Sequence, residues 1–215
     1  MNATLPPPQP APRPHAEPFS AGEIAAAARQ PLRMLDLVLS APQRVAANVA
    51  GDHSLGALGL VFLLASALFA IPYGFVLGLG SWWRVVVLYL GSTLICLPSL
   101  HVFASYLGLR ARPAQILVLA LTIPSVAALF TFGFAPILGF LRATMDPDED
   151  HVSWRALSSV LLSFALAAGV VQLWRCFLAS PGVTGRGRYF LVLLGWHAVF
   201  VHVLLRMGHV LGLGG

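Results

Sequence analysis

Five long segments of this chain are almost free of charged residues, and they constrain its fold more than any other feature. The two clearest runs, 85–107 and 114–141, are separated only by Gly108-Leu109-Arg110-Ala111-Arg112-Pro113. Each exceeds the roughly 20 apolar residues that a helix needs to cross a hydrocarbon core about 30 Å thick. Because lipid offers the backbone no hydrogen-bond partner, such runs fold as helices. Three further runs of this kind lie at 55–79, 156–177 and 189–211.

The composition supports the same fold class. Hydrophobic residues make up 58% of the chain and charged residues only 10%, whereas soluble domains carry about 25% charged residues. We therefore predict an all-α polytopic membrane helix bundle, with five transmembrane helices in residues 52–215. The net charge is +5, but the arginines are spread between the apolar runs. A nucleic-acid-binding protein gathers its basic residues on one face, so we expect no nucleic-acid partner.

The region before the first span divides into two parts. Residues 1–19 are rich in proline, lack the pattern of a signal peptide, and predict a disordered, partly polyproline-II tail. Residues 20–51 predict an amphipathic helix that begins with a capping box of Ser20 and Glu23 and breaks near Pro31. Apolar residues recur along it at helical spacing, which predicts an interfacial helix lying on the membrane: Leu35, Val38, Pro42, Val45 and Val49.

The arginines predict the orientation in the membrane. With the N-terminus in the cytoplasm, five spans place nine arginines inside and four outside, which obeys the positive-inside rule. The C-terminus is then external. Four of the inside residues are interpreted as topology determinants beside the lipid headgroups: Arg110, Arg112, Arg186 and Arg188. The chain has thirteen arginines and no lysine, an indication of GC-rich codons, and we expect a bacterial cytoplasmic membrane protein.

Polar residues and prolines mark the second and third spans. One stripe of the second span is predicted to point into the bundle: Tyr89, Ser92, Cys96, Ser99, Phe103 and Tyr106. We expect Pro98 to kink this helix, and Pro124 and Pro136 to bend or end the next one. Residues 81–84 predict a short turn whose tryptophans suit the headgroup boundary.

Histidines give the most suggestive candidate site. His202, Arg206 and His209 lie near one face of the last span, His197 lies about 140° away from His202 on an ideal helix, and His101 belongs to the second span. Ionisable groups inside a membrane are functional candidates. We interpret these residues as interfacial, with proton handling and a haem or metal site as alternatives.

Other chemistry has less support. Cys96 and Cys176 are interpreted as buried hydrophobic residues. The acidic residues within 146–151 lack the spacing of an EF-hand loop and predict a solvated turn rather than a cation site. The sequence contains no nucleophile elbow, Walker loop, HExxH pair or CxxC pair. We therefore predict no catalytic site and no cofactor.

Residues 32–140 resemble Yip1-like membrane proteins, and two stretches carry the resemblance. Residues 40–74, SAPQRVAANVAGDHSLGALGLVFLLASALFAIPYG, are similar to the juxtamembrane helix and first span of that family. Residues 106–140, YLGLRARPAQILVLALTIPSVAALFTFGFAPILGF, are similar to its second-to-third-span region. The resemblance implies a cytoplasmic N-terminal region followed by five spans. Eukaryotic members act in vesicle trafficking through small GTPases, but their Asp-Leu-x-Gly-Pro motif is absent from this chain.

Three functions are compatible with these features. The leading hypothesis is a non-enzymatic membrane scaffold or adaptor that contacts the bilayer and recruits a cytoplasmic protein through residues 1–50. A transporter or channel component for a small solute or protons is the first alternative, since broken helices mark binding sites in transporters. A redox subunit with a histidine-ligated haem or metal is the second. The sequence does not set the oligomeric state.

Overall fold

A computed structural model describes residues 17–40, 42–78, 80, 82–106, 111–144, 151–179 and 186–213. These residues form eight α-helices and no strand: α1 (Ala21–Arg29), α2 (Pro31–Leu39), α3 (Pro42–Ala50), α4 (Leu55–Leu77), α5 (Trp82–Tyr106), α6 (Pro113–Thr144), α7 (His151–Ala179) and α8 (Arg186–Val210). The five helices α4 to α8 are each long and apolar enough to cross a membrane. The predicted all-α, polytopic bundle is therefore confirmed.

Residues 82–84 are helical, whereas a turn was expected at 81–84. Helix α5 already begins at Trp82, so the two tryptophans and Arg84 form its first turn. The close approach of α4 requires a glycine, because a Cβ at Gly74 would lie only 2.6 Å from the Trp82 Cα. The rings of Phe75 and Trp82 also stack, with centroids 6.3 Å apart. This contact holds the start of α5 against the end of α4.

Prolines interrupt no span in the described residues. Helix α6 continues from Pro113 to Thr144 through both Pro124 and Pro136, so neither residue ends the third span. An internal proline removes one backbone hydrogen bond, and the many bonds on either side in a helix this long keep it continuous. Pro72 likewise lies inside α4.

Helix α6 lies at the centre of the bundle and contacts α4, α5 and α7. Of its most apolar stretch, 78% is buried inside the protein, compared with 22% to 44% for the other spans. A glycine allows α7 to approach closely, because a Cβ at Gly169 would overlap the backbone of Ile123. Helix α8 packs mainly on α5 and is therefore more peripheral.

Candidate functional site

The three short helices before the spans form a cap on one end of the bundle, and we refer to residues 17–40 and 42–50 as the cap. Its helices contact α4, α6 and α7. Apolar side chains of the cap are buried at these contacts: Ile24, Met34, Leu37, Val38, Val45 and Val49. The stripe predicted to lie on lipid therefore packs largely against protein.

The cap has one more break than the sequence analysis expected. The predicted break is present at Gln30, which ends α1 and precedes Pro31. A second break follows at Ser40, where the backbone is extended with ψ 159° before α3 begins at Pro42. Pro42 has no backbone N–H to donate within a helix, so it cannot continue α2 and instead takes the first position of α3. The expected single broken helix is thus three helices.

A buried asparagine on α3 ties the ends of the cap together. The Asn48 side chain is fully buried, and its Oδ1 accepts a hydrogen bond of 2.6 Å from the Phe19 N–H. Its Nδ2 lies 3.4 Å from the Phe19 carbonyl oxygen and 3.3 Å from that of His53. A buried amide is stabilised only when its donors and acceptors are paired. Asn48 therefore fixes both the entry into α1 and the turn after α3.

Two residues at the start of α6 fasten the cap to the spans. The Gln115 Nε2 donates a hydrogen bond of 2.7 Å to the carbonyl oxygen of Val49, the penultimate residue of α3. Arg112 forms an ion pair with Asp52 and donates its backbone N–H to Gln115 Oε1 at 2.8 Å. Arg112 was predicted as a topology determinant, and the structure adds this contact with the chain just after α3.

Arg44 and Glu23 link α3 to α1 at the surface of the cap. The Arg44 Nη2 lies 3.0 Å from Glu23 Oε1, and its guanidinium lies 4.2 Å from the centre of the Phe19 ring. The predicted capping box is present, because Ser20 and Glu23 exchange their hydrogen bonds. The pKa of Glu23 is lowered, first by the hydrogen bond from the Ser20 backbone N–H and then by the one from Arg44.

The outer face of the cap, which we define as Arg29, Leu32 and Arg33, is exposed. Leu32 is 80% exposed, although it belongs to a helix with a well-buried opposite side. Arg29 and Arg33, the arginines nearest to it in the sequence, are also exposed and make no ion pair with any residue in the described ranges. An exposed leucine flanked by two unpaired arginines can contact an apolar side chain and an acidic group of a partner together.

The predicted histidine site is dispersed. His197 is 8% exposed, and its Nδ1 lies 2.5 Å from the Leu193 carbonyl oxygen, so this nitrogen carries the proton. The Trp174 indole N–H then donates to the remaining nitrogen, Nε2, at 3.3 Å. Both ring nitrogens of His197 have a partner, and the ring serves as a tie between α7 and α8.

The remaining ionisable candidates do not join His197. His202, Arg206 and His209 all lie on the exposed side of α8. His101 is half-buried on α5, where its Nδ1 is buried without a hydrogen-bond partner. Within the described ranges, no three His, Cys, Asp or Glu side chains are grouped as a metal site would require.

The polar stripe of α5 faces mostly inward, as expected. Ser92 is fully buried, with its Oγ 3.4 Å from the Met207 sulfur of α8. The Ser99 Oγ donates to the Cys96 carbonyl oxygen at 2.7 Å and accepts from the Trp196 indole N–H at 3.1 Å. Tyr106, at the end of the stripe, is 75% exposed instead. These polar groups connect helices to one another.

Several predicted features lie outside the described residues: the tail at 1–16, Arg110, and the acidic residues at 146–150. Arg186 and Arg188 belong to the first turn of α8, of which only the backbone is described.

Sequence reasoning missed Asn48, Asp52 and Gln115. A usable signal was present for Gln115, which is an isolated polar residue near the start of an apolar helix. Comparisons with known protein families, with curated proteins and with solved structures find no match for this chain.

Proposed function

We propose that this multi-pass membrane protein is a scaffold or adaptor, and that the outer face of the cap recruits a protein partner. The observation that carries the proposal is the exposure of Leu32 between two unpaired arginines, on helices whose opposite side is held firmly to the spans. A rigid support positions a docking surface without the entropic cost of ordering it on binding. The partner we expect has an apolar side chain next to an acidic group.

The surroundings of this cap belong to the same proposal. The positive-inside count supports a cytoplasmic cap in a bacterial membrane, and the partner would then be a cytoplasmic protein. A cytoplasmic N-terminal region before five spans is compatible with membership of the Yip1-like family. That membership stays a prediction.

The transport alternative has less support. Hydroxyl groups inside the spans bond to backbone carbonyls of their own helices rather than forming a polar path: Ser66, Thr93, Thr122, Ser125 and Thr131. Helix α6 carries three of them, and it is also the most deeply buried span. A redox role would need histidines that converge, and His197 already uses both ring nitrogens.

A photocrosslinking amino acid at position 32 tests the scaffold proposal. In cells that express the full-length protein, we expect it to trap one discrete protein, identified by mass spectrometry. A variant that combines R29E and R33E with the crosslinker at position 32 should trap at least about tenfold less of this protein. Both glutamates would repel the acidic group of the partner that the two arginines attract. A crosslinker at Val210, which is 83% exposed at the other end of the bundle, is the matched control.

Deletion of residues 1–16 separates the tail from the cap. The proposal expects the shortened protein to keep the crosslinked partner. Loss of the partner on this deletion, together with full capture by R29E/R33E, would assign recruitment to the tail and overturn the role of the cap. Deleting all of 1–50 is a poorer experiment, because it would also uncover apolar surface of α4, α6 and α7.

A further inference from the structure

An apolar groove runs between the cap and two of the spans. It has a volume of about 420 Å³ and lies between α2, α6 and α7. Its walls are made of aliphatic and aromatic side chains: Val38, Leu39, Val126, Phe130, Phe164 and Val171. This volume lies within the roughly 300–1,000 Å³ that small-molecule sites occupy. The groove is open to the outside of the bundle, since Leu39, Phe164 and Val171 are each about half exposed.

The length of the groove matches one leaflet of a bilayer. Along α7 it extends from Phe164 to Arg175, eleven residues, which correspond to about 16 Å at the rise of an α-helix. Half of a hydrocarbon core is about 15 Å. Gly169 of α7 lies against Ile123, which is ten residues after the start of α6. The groove therefore begins near the end of the bundle that carries the cap and reaches towards the middle of the membrane.

Among the described residues of the lining, the polar side chains are at the end near the cap. Arg175 is exposed there and makes no ion pair within the described part of the chain. Gln172, one turn deeper, is half-buried, with its Nε2 3.5 Å from the Ser40 carbonyl oxygen. A guanidinium at headgroup depth attracts an anion and offers it several hydrogen bonds.

We propose that this groove binds an anionic phospholipid of the leaflet on the cap side, independently of the scaffold function. One acyl chain lies along Val171 and Phe164, and Arg175 contacts the phosphate or an acidic headgroup. A second copy of this chain is a poorer occupant, because it would bring another arginine to the mouth. The charge at one end and the apolar walls over the depth of one leaflet match a lipid.

Native mass spectrometry of the full-length protein from nanodiscs tests this site. The nanodiscs contain phosphatidylglycerol and phosphatidylcholine in equal amounts, and we expect one phosphatidylglycerol to stay bound preferentially. The variant R175Q should reduce this preference about fivefold, the effect of one basic residue at an anionic surface. R155Q is the matched control, because Arg155 is an exposed arginine of the same helix at its other end.

A second variant tests the acyl-chain part of the groove. Ala167 lines the groove and is exposed, so A167F should fill it and abolish lipid retention while the protein still folds. A198F, a change at an exposed alanine of α8, should retain the lipid. The proposal is overturned if R175Q matches the wild type, if R155Q lowers the preference equally, or if A167F still retains the lipid. Displacement of the lipid by inorganic phosphate would also overturn the proposal, because the acyl chain would then contribute nothing to binding.

Discussion

Asn48 is the most consequential single residue of the cap, because its side-chain amide pairs with backbone groups from both ends of the cap. Replacing it with leucine would leave the Phe19 N–H and two carbonyl oxygens without their partner. We expect N48L to destabilise docking of the cap by about 2 kcal/mol, the usual cost of unpaired buried polar groups. Limited proteolysis of the protein in nanodiscs should then cleave the cap faster, by a factor of at least about ten.

Gln43 provides the matched control for this change. It is exposed on the same helix, α3, so Q43L introduces the same side chain without removing a buried hydrogen bond. Its cleavage rate should stay within about twofold of wild type, as for most surface substitutions. Equal cleavage of N48L and wild type would refute the role given to Asn48.

Glu23 makes the stability of the cap depend on pH. Its pKa is lower in the folded protein because the ionised carboxylate accepts hydrogen bonds from Ser20 and Arg44. A lowered pKa gives stability that is present above the usual glutamate value of about 4.3 and is lost as the pH falls through the folded value. We expect E23Q to unfold at a slightly lower temperature than wild type at pH 7, with the difference shrinking as the pH falls below about 4.3. A constant difference across this range would contradict the assignment.

Single residues also show what the sequence could not reveal. The capping box of Ser20 and Glu23 was predictable, because its residues are three positions apart and bond locally. Phe19, which pairs with Asn48, is 29 residues away from it, and Val49, which pairs with Gln115, is 66 residues away. Such pairs depend on the tertiary packing, which no local pattern contains. The pairing of His197 with Trp174 was hidden for the same reason.

Among the helices, the close contact between α6 and α7 offers a direct test of packing. Gly169 faces the backbone of Ile123 with no room for a methyl group. We expect G169A to destabilise the bundle by about 1–3 kcal/mol, the range measured for overpacked cores. Thermal unfolding in mild detergent, followed by size-exclusion chromatography, measures this loss.

Gly195 is the control for that substitution, because nothing lies within 4 Å of a Cβ added there. G195A should leave the unfolding temperature unchanged or raise it slightly, since alanine favours a helix more than glycine does. If G169A proved as stable as G195A, the close approach of α6 and α7 would be wrong.

Helices of the spans were predictable because length and hydropathy alone define them. The docking of the cap was not, although its apolar periodicity was visible along Leu35, Val38 and Val45. An apolar stripe is equally satisfied by lipid and by protein, so periodicity gives the buried face but not what covers it. Pro42 was an available signal for the break at Ser40, although the predicted helix did not include this break.

For the whole molecule, five membrane-crossing helices would place the cap and the end of α8 on opposite sides of the membrane. Cys96 and Cys176 are both buried, so a cysteine introduced at an exposed position can be labelled selectively. We expect an impermeant maleimide to label L32C only from the cytoplasmic side and V210C only from the outside. Labelling of both from one side would contradict five spans.

The attachment of the cap to the spans is the central feature of this molecule, and hydrogen exchange of the protein in nanodiscs measures it. Q115A changes only α6, yet it should raise exchange of the α3 amides about fivefold, the equivalent of one lost hydrogen bond of ~1 kcal/mol. R142A, near the other end of α6, should leave α3 unchanged. Unaltered α3 exchange in Q115A, or an equal rise in R142A, would show that these helices rest on lipid rather than on the bundle.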